Sequence, residues 1–184
     1  MSRVIIITGD LASGKSTLAK QLSAHLKVPF FTKEHLKELL GEEIDYVSRE
    51  DNKKLSNSSI DILLHILERV AAVKSSVIIE ANFHKDELEK IKRECELNHV
   101  EVVLLYLTGD IDVLFERFMY RTYYENRHPV HLTHPLENID DFENYIKKWR
   151  DEEEVLPRHV IDVTNCDRDV IFAKALETLK SLKS

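Results

Sequence analysis

Short apolar runs alternate along the chain with longer stretches whose apolar residues recur every three or four positions. Val4–Thr8 is of the first kind and reads as a strand. Gly14 to Leu26 is of the second, with Leu18, Leu22 and Leu26 four apart on one helical face. The same reading predicts a short strand at Val28–Thr32, opened by Pro29, then a helix from Lys33 to Leu40 that ends near Gly41. A longer helix is expected from Leu55 to Val73, with Ile60, Leu63, Leu64, Leu67 and Val70 on one face. Strand Val77–Glu80, helix Asp86–Leu97 and strand Val100–Leu107 follow. Helices from Asp110 to about Thr122 and from Asp140 to about Val155 precede a fifth strand, Val160–Val163, and a last helix, Asp167–Leu182.

Apolar strands separated by helices imply an α/β fold with a parallel sheet covered on both faces. Right-handed crossovers then gather the loops after the strands along one edge, where such folds bind ligands. No repeat or Pro/Gly-rich linker divides the 184 residues, so a single domain is expected.

Composition narrows the class. With 43% hydrophobic and 32% charged residues the chain reads as globular. Its longest apolar run, Val102 to Leu107, is too short to cross a bilayer, and the N-terminus lacks the form of a signal peptide. Two cysteines without metal or redox spacing leave the cytoplasm as the expected compartment, with no membrane partner. A net charge of −7 argues against tight non-specific nucleic-acid binding, though recognition of one phosphorylated end stays open.

The first chemical signal is Gly9-Asp10-Leu11-Ala12-Ser13-Gly14-Lys15-Ser16, a full G-x-x-x-x-G-K-[ST] motif between a strand and a helix. Glycines at both ends let the backbone curl so that successive N–H groups face phosphate oxygens, and the helix adds its positive end. Lys15 is expected to reach the β- and γ-phosphates and Ser16 to hold Mg²⁺, with Thr17 a second hydroxyl beside them. A nucleoside triphosphate with Mg²⁺ is the expected cofactor, its base left open by the loop itself. A GTPase switch would want N-K-x-D and D-x-x-G, and Asn165-Cys166-Asp167 is only a partial echo of the first. A motor ATPase would want an Asp-Glu pair closing an apolar strand, whereas the third strand ends in Glu80-Ala81.

Candidate acceptor residues follow the second and third strands. Glu34 is placed to take a proton from an attacking hydroxyl, and Lys37, three residues on, shares its face and could bind a polar part of the acceptor. An ordinary capped helix start, with Thr32 as N-cap, is the competing reading of this segment. Glu80 could hold Mg²⁺ through water or touch the acceptor, and Asn82 offers both donor and acceptor atoms. Further on, Arg117, Arg121 and Arg127 cluster within a few turns, as a lid that stabilises charge during phosphoryl transfer would require. The alternative is a solvated basic face paired with Glu116 and Glu125. His128, His131 and His134 recur every three residues, but Pro129 and Pro135 break any helix aligning them, so a polar lid tip is expected rather than a zinc site.

These segments, in this order, resemble the small P-loop kinases of the nucleoside/nucleotide kinase-like class. They look most like the AAA-domain predicted-kinase group that includes polynucleotide 5′-kinase and chloramphenicol phosphotransferase-like proteins. Gly9 to Thr17 matches the group's phosphate loop, and Thr32-Lys33-Glu34-His35-Leu36-Lys37 its S/T-K-D-x-[IL]-K/R segment, with Glu34 in place of Asp. Glu80-Ala81-Asn82-Phe83 resembles its E-x-N-F strand end, and Arg127-His128-Pro129-Val130-His131 its R-H-P-G-H lid, with Val130 in place of Gly. The resemblance implies a P-loop three-layer sandwich with a five-stranded parallel sheet of order 2-3-1-4-5. It also implies a lid at about residues 117–137 and adenine near Thr164 and Asn165. The expected activity is transfer of the γ-phosphate of Mg·ATP to a hydroxyl of a small-molecule or nucleotide-like acceptor. A nucleotide-binding regulatory protein with slow ATP hydrolysis and a nucleic-acid 5′-end kinase remain as alternatives. The acceptor pocket is expected to be lined by the Leu55–Val73 helix and the Tyr120–Tyr124 segment.

Overall fold

The computed structural model describes residues 2–125, 127–131 and 136–182. Strand β1 (Arg3–Gly9) leads through the phosphate loop into α1 (Lys15–Leu26), and β2 (Phe30–Thr32) into α2 (Lys33–Glu43) and α3 (Arg49–Ala72). Then come β3 (Val77–Glu80), α4 (Lys85–Leu97), β4 (Glu101–Thr108), α5 (Ile111–Tyr124), a 3₁₀ turn (Pro129–His131), α6 (Ile139–Arg150), β5 (Arg158–Asp162) and α7 (Arg168–Ser181). The five strands are all parallel in the order β2-β3-β1-β4-β5, as expected.

β1 is the centre of the sheet, and both of its faces are buried. Ile5 and Ile7 pack with Leu18, Leu22, Leu105, Phe142, Ile161 and Ala175 under α1, α6 and α7. Val4 and Ile6 point the other way, into Leu63, Leu67, Ile79, Ile91 and Leu104 beneath α3 and α4. Two cores on one continuous sheet explain why the strands read as uninterrupted apolar runs rather than alternating ones.

Three boundaries differ from the sequence reading by three residues or more. The α3 helix begins six residues before Leu55. Its first turns carry no apolar stripe and are set instead by a capping box, in which Ser48 Oγ accepts from Asp51 N–H and the Asp51 carboxylate accepts from Ser48 N–H. Gly41 does not end α2, which runs on to Glu43. A side chain at Gly41 would meet Tyr46, His128 and Val130 at 3.2–3.4 Å, so packing rather than helix termination explains the glycine. α6 stops at Arg150 rather than near Val155. Four acidic residues follow, unfavourable at a helix C-terminus, and Arg158 takes up the Arg150 and Glu152 carbonyls.

Candidate functional site: a phosphate loop facing a buried carboxylate

The loop from Gly9 to Ser16 curls through three left-handed residues, Gly9 (φ 123°), Ala12 (φ 59°) and Gly14 (φ 88°). At Gly9 a Cβ would lie 2.1 Å from the Leu107 carbonyl oxygen, because the loop enters in backbone contact with β4. Ser13 Oγ donates to the Asp10 carbonyl at 2.8 Å and closes the turn. Gly14 caps α1 without a side chain, so the first N–H groups of the helix face the loop's hollow.

Lys15 is buried, and its ammonium donates to the Asp10 and Gly9 carbonyls at 2.6 and 3.2 Å. Burial lowers its pKa against the opposing pull of Glu80, Glu34 and Asp10. The next hydroxyl, Ser16 Oγ, donates to Glu80 Oε2 at 3.0 Å. The parallel β1–β3 register pairs Ile7 with Glu80 and so brings the strand-end carboxylate to the loop. Burial first, and the nearby Glu34 carboxylate second, push the Glu80 carboxyl up to about 7.

Glu34 enters from the first turn of α2, whose N-cap is Thr32 as expected, accepting from His35 N–H at 3.1 Å. Because Thr32 pairs with Glu80 across β2 and β3, Glu34 is carried to the same sheet edge. Its Oε2 is buried and has no hydrogen-bond partner among the described residues, and the same is true of Asn82 Oδ1. Its charge acts on Lys15, Glu80, Lys37 and Arg127.

The arginines divide. Arg121 acts electrostatically on Lys15 and Glu80 while pairing with Glu125 at 3.2 Å. Arg127 is half-buried; burial and Arg121 lower its pKa against Glu125, Glu34 and Glu38. Arg117 lies elsewhere, with Nη2 donating to the carbonyls of Val163 (3.2 Å) and Thr164 (3.5 Å) after β5. That loop is tied together by Asp162, which accepts from Thr164 N–H and Oγ, and by Thr164 Oγ1, which accepts from Asp110 N–H. Asn165 is exposed beside it. Lys37 donates to Asn52 Oδ1 at 2.7 Å and to the Val130 carbonyl at 3.3 Å. His134 and Pro135 lie outside the described residues; His131 bonds Glu38 Oε1 at 2.9 Å, with His128 edge-on to its ring.

Sequence reasoning missed Arg150 and Asn52. Arg150 reaches from the end of α6 to the fully buried Asp10 carboxylate at 2.6 Å and to the Gly109 carbonyl at 2.6 Å. Thr108 Oγ1 and Gly109 N–H complete the ring of donors around Asp10. The segment Lys147-Lys148-Trp149-Arg150 reads as a solvated basic face, and nothing in its spacing marks one cation as buried.

A family model described as an AAA domain matches residues 5–143, from β1 through the first turn of α6. The chain belongs to the AAA domain family. No curated protein sequence matches this AAA-domain chain. Solved structures match it along nearly its whole length. A protein of Chloroflexus aurantiacus described as a candidate kinase superposes with a TM-score of 0.80 at 24% identity, over 96% of this chain and 97% of that one. Shikimate kinase from Aquifex aeolicus gives 0.64 at 16% identity, over 98% of both chains. Chaetomium thermophilum Kti12, in complex with ADP-AlF3, gives 0.65 at 18%, over 97% of both. At these identities the likeness carries the fold, which is that of the small P-loop kinase class.

Proposed function

We propose that this AAA-domain chain is an ATP-dependent kinase that transfers the γ-phosphate to a hydroxyl of a small-molecule acceptor. The observation that carries the reading is the buried, unpartnered Glu34 Oε2, which shares one electrostatic neighbourhood with Lys15 and Glu80. A buried carboxylate oxygen without a donor destabilises the empty protein, and a ligand hydroxyl supplies the missing donor. Proton acceptance by Glu34 would then activate that hydroxyl for attack.

Lys15 and the backbone N–H groups of the loop and α1 would hold the phosphates. The oxygens of Ser16 and Glu80 suit Mg²⁺, a hard cation that takes oxygen ligands, and the bound metal would neutralise charge on the phosphates. Arg121 and Arg127 act over the transfer site, in a lid at about residues 117–137 of a single domain. Arg117 and the Thr164–Asn165 loop serve the nucleotide base. Asn82, with its amide oxygen unpartnered, faces the acceptor or the hydration shell of the metal. No helix among the described residues is long and apolar enough to cross a membrane. The proposed setting is the cytoplasm, whose reducing conditions suit two free cysteines.

The test is ADP release from Mg·ATP by wild type and Glu34→Gln across pooled sugars, nucleosides, antibiotics and short 5′-hydroxyl oligonucleotides. One pool that stimulates the wild type, with the variant slower by about 10²–10⁴-fold, supports the reading. Equal, slow release by both proteins in every pool contradicts it.

A further inference from the structure

The 3₁₀ turn Pro129–His131 is a surface connection, yet Val130 is fully buried. Its carbonyl accepts two hydrogen bonds, from Asn52 Nδ2 at 2.9 Å and from Lys37 Nζ at 3.3 Å. Lys37 also donates to Asn52 Oδ1 at 2.7 Å, so three groups from α2, α3 and the turn close a triangle. Asn52 is 6% exposed and uses its amide oxygen and nitrogen at once. One residue further, His131 bonds Glu38 on α2, and Gly41 leaves room for His128 and Val130 against the same helix. The turn is therefore fastened at its centre and at its end.

Arg127 stands three residues before Val130. Its guanidinium makes no hydrogen bond among the described residues, although Glu34 and Glu38 both act on it. A free guanidinium samples many rotamers, and only its backbone anchor limits where it can reach.

We propose that Asn52 is a positioning residue which, with Lys37, fixes the Val130 carbonyl and thereby holds Arg127 opposite Glu34. Two of the three ammonium hydrogens of Lys37 are then engaged by oxygens of the protein, which leaves one for an acceptor. Asn52 touches neither nucleotide nor acceptor and acts only through the turn. The catalytic half of this assignment rests on the kinase reading; the anchoring half does not.

Asn52→Leu in the full chain tests both halves, with Asn52→Asp as a second variant should the first fail to fold. Hydrogen exchange of the peptide spanning residues 127–131 should quicken at least tenfold, as expected for a released anchor, while peptides of α1 exchange as in wild type. Mg·ADP affinity and the KM for ATP should be unchanged. Acceptor-dependent kcat should fall by about 10–100-fold, the cost of misplacing a group by roughly an ångström. Asn52→Gln, which retains both amide functions, should recover part of the rate. Unchanged exchange across residues 127–131 overturns the anchoring, and faster exchange with unchanged kcat overturns the positioning role. If wild type shows no acceptor-dependent turnover, the kinase reading has failed independently. Affinity for ADP with aluminium fluoride then replaces kcat: about tenfold weaker binding in Asn52→Leu supports positioning, and equal binding overturns it.

Discussion

Ser16 Oγ donates a 3.0 Å hydrogen bond to Glu80 Oε2, joining the end of the phosphate loop to the end of the neighbouring strand. The contact brings a hydroxyl and a buried carboxylate together. In the proposed enzyme the pair would hold Mg²⁺ or its water shell. Glu80→Gln should raise the Mg²⁺ concentration for half-maximal turnover by about 10–100-fold, the usual loss when a partner of a metal site is removed. Metal-free ADP binding should change little. A magnesium titration compares the two proteins, and superimposable curves would remove Glu80 from the metal site.

The two loop glycines should respond differently to alanine. At Gly14 a Cβ meets nothing within 4 Å, so only the left-handed backbone opposes it, at a cost of about 1–3 kcal/mol. At Gly9 the same strain is joined by a Cβ 2.1 Å from a β4 carbonyl, and either the loop or β4 must move. Gly9→Ala should be much the less stable in urea denaturation and should lose nucleotide binding even where it folds. Equal midpoints for the two variants would contradict the packing argument.

Arg150→Met strips the ion-pair partner from a carboxylate with no solvent exposure. Thr108 and Gly109 still donate to Asp10, and Arg150 is itself a third exposed, so the loss should be about 2–3 kcal/mol, below that of fully buried pairs. Adding Asp10→Asn should restore part of it. Denaturant midpoints of the single and double variants decide, and strict additivity would mean that the two side chains do not interact.

Acid should loosen the Pro129–His131 turn. Burial lowers the pKa of His131, and the Glu38 hydrogen bond that opposes burial does not cancel it. Burial alone would raise Glu38, but hydrogen bonds to His131 and His35 outweigh it and hold the carboxyl low. Both groups therefore favour docking above their ordinary values, and the contribution is lost as pH falls, first below 6.5 for His131 and then below 4.5 for Glu38. The other charges facing this pair are Glu34, Lys37 and His35 from α2, and Arg127 just before the turn; the turn adds His128, and α3 presents the uncharged Asn52. Hydrogen-exchange protection across residues 127–131 should drop between pH 7 and pH 5, and His131→Gln should flatten that drop. Protection that rises on acidification would reverse the assignment.

The strands and the phosphate loop were legible because both follow from local rules, whereas the sheet order was implied by the family resemblance alone. Apolar runs mark strands buried on two faces, and G-x-x-x-x-G-K-S demands left-handed turns that the structure shows at Gly9 and Gly14. Glu80 was legible through topology, since the β1–β3 pairing that brings it to Ser16 follows from the strand order. Asn52 was not, because it precedes the apolar stripe of α3 and its two partners lie 15 and 78 residues away. Arg117 illustrates a different limit. Its spacing from Arg121 implies one helical face, yet the helix carries one arginine to the loop after β5 and the other within electrostatic reach of Lys15 and Glu80.

The fate of the γ-phosphate tests the central claim most directly. γ-³²P-labelled ATP, incubated with the protein, Mg²⁺ and a stimulating acceptor pool, should yield label in an organic phosphate ester, and Glu34→Gln should form that ester at a small fraction of the rate. Label recovered only as inorganic phosphate, at one rate with or without acceptor, would make this chain a slow ATPase and contradict the account.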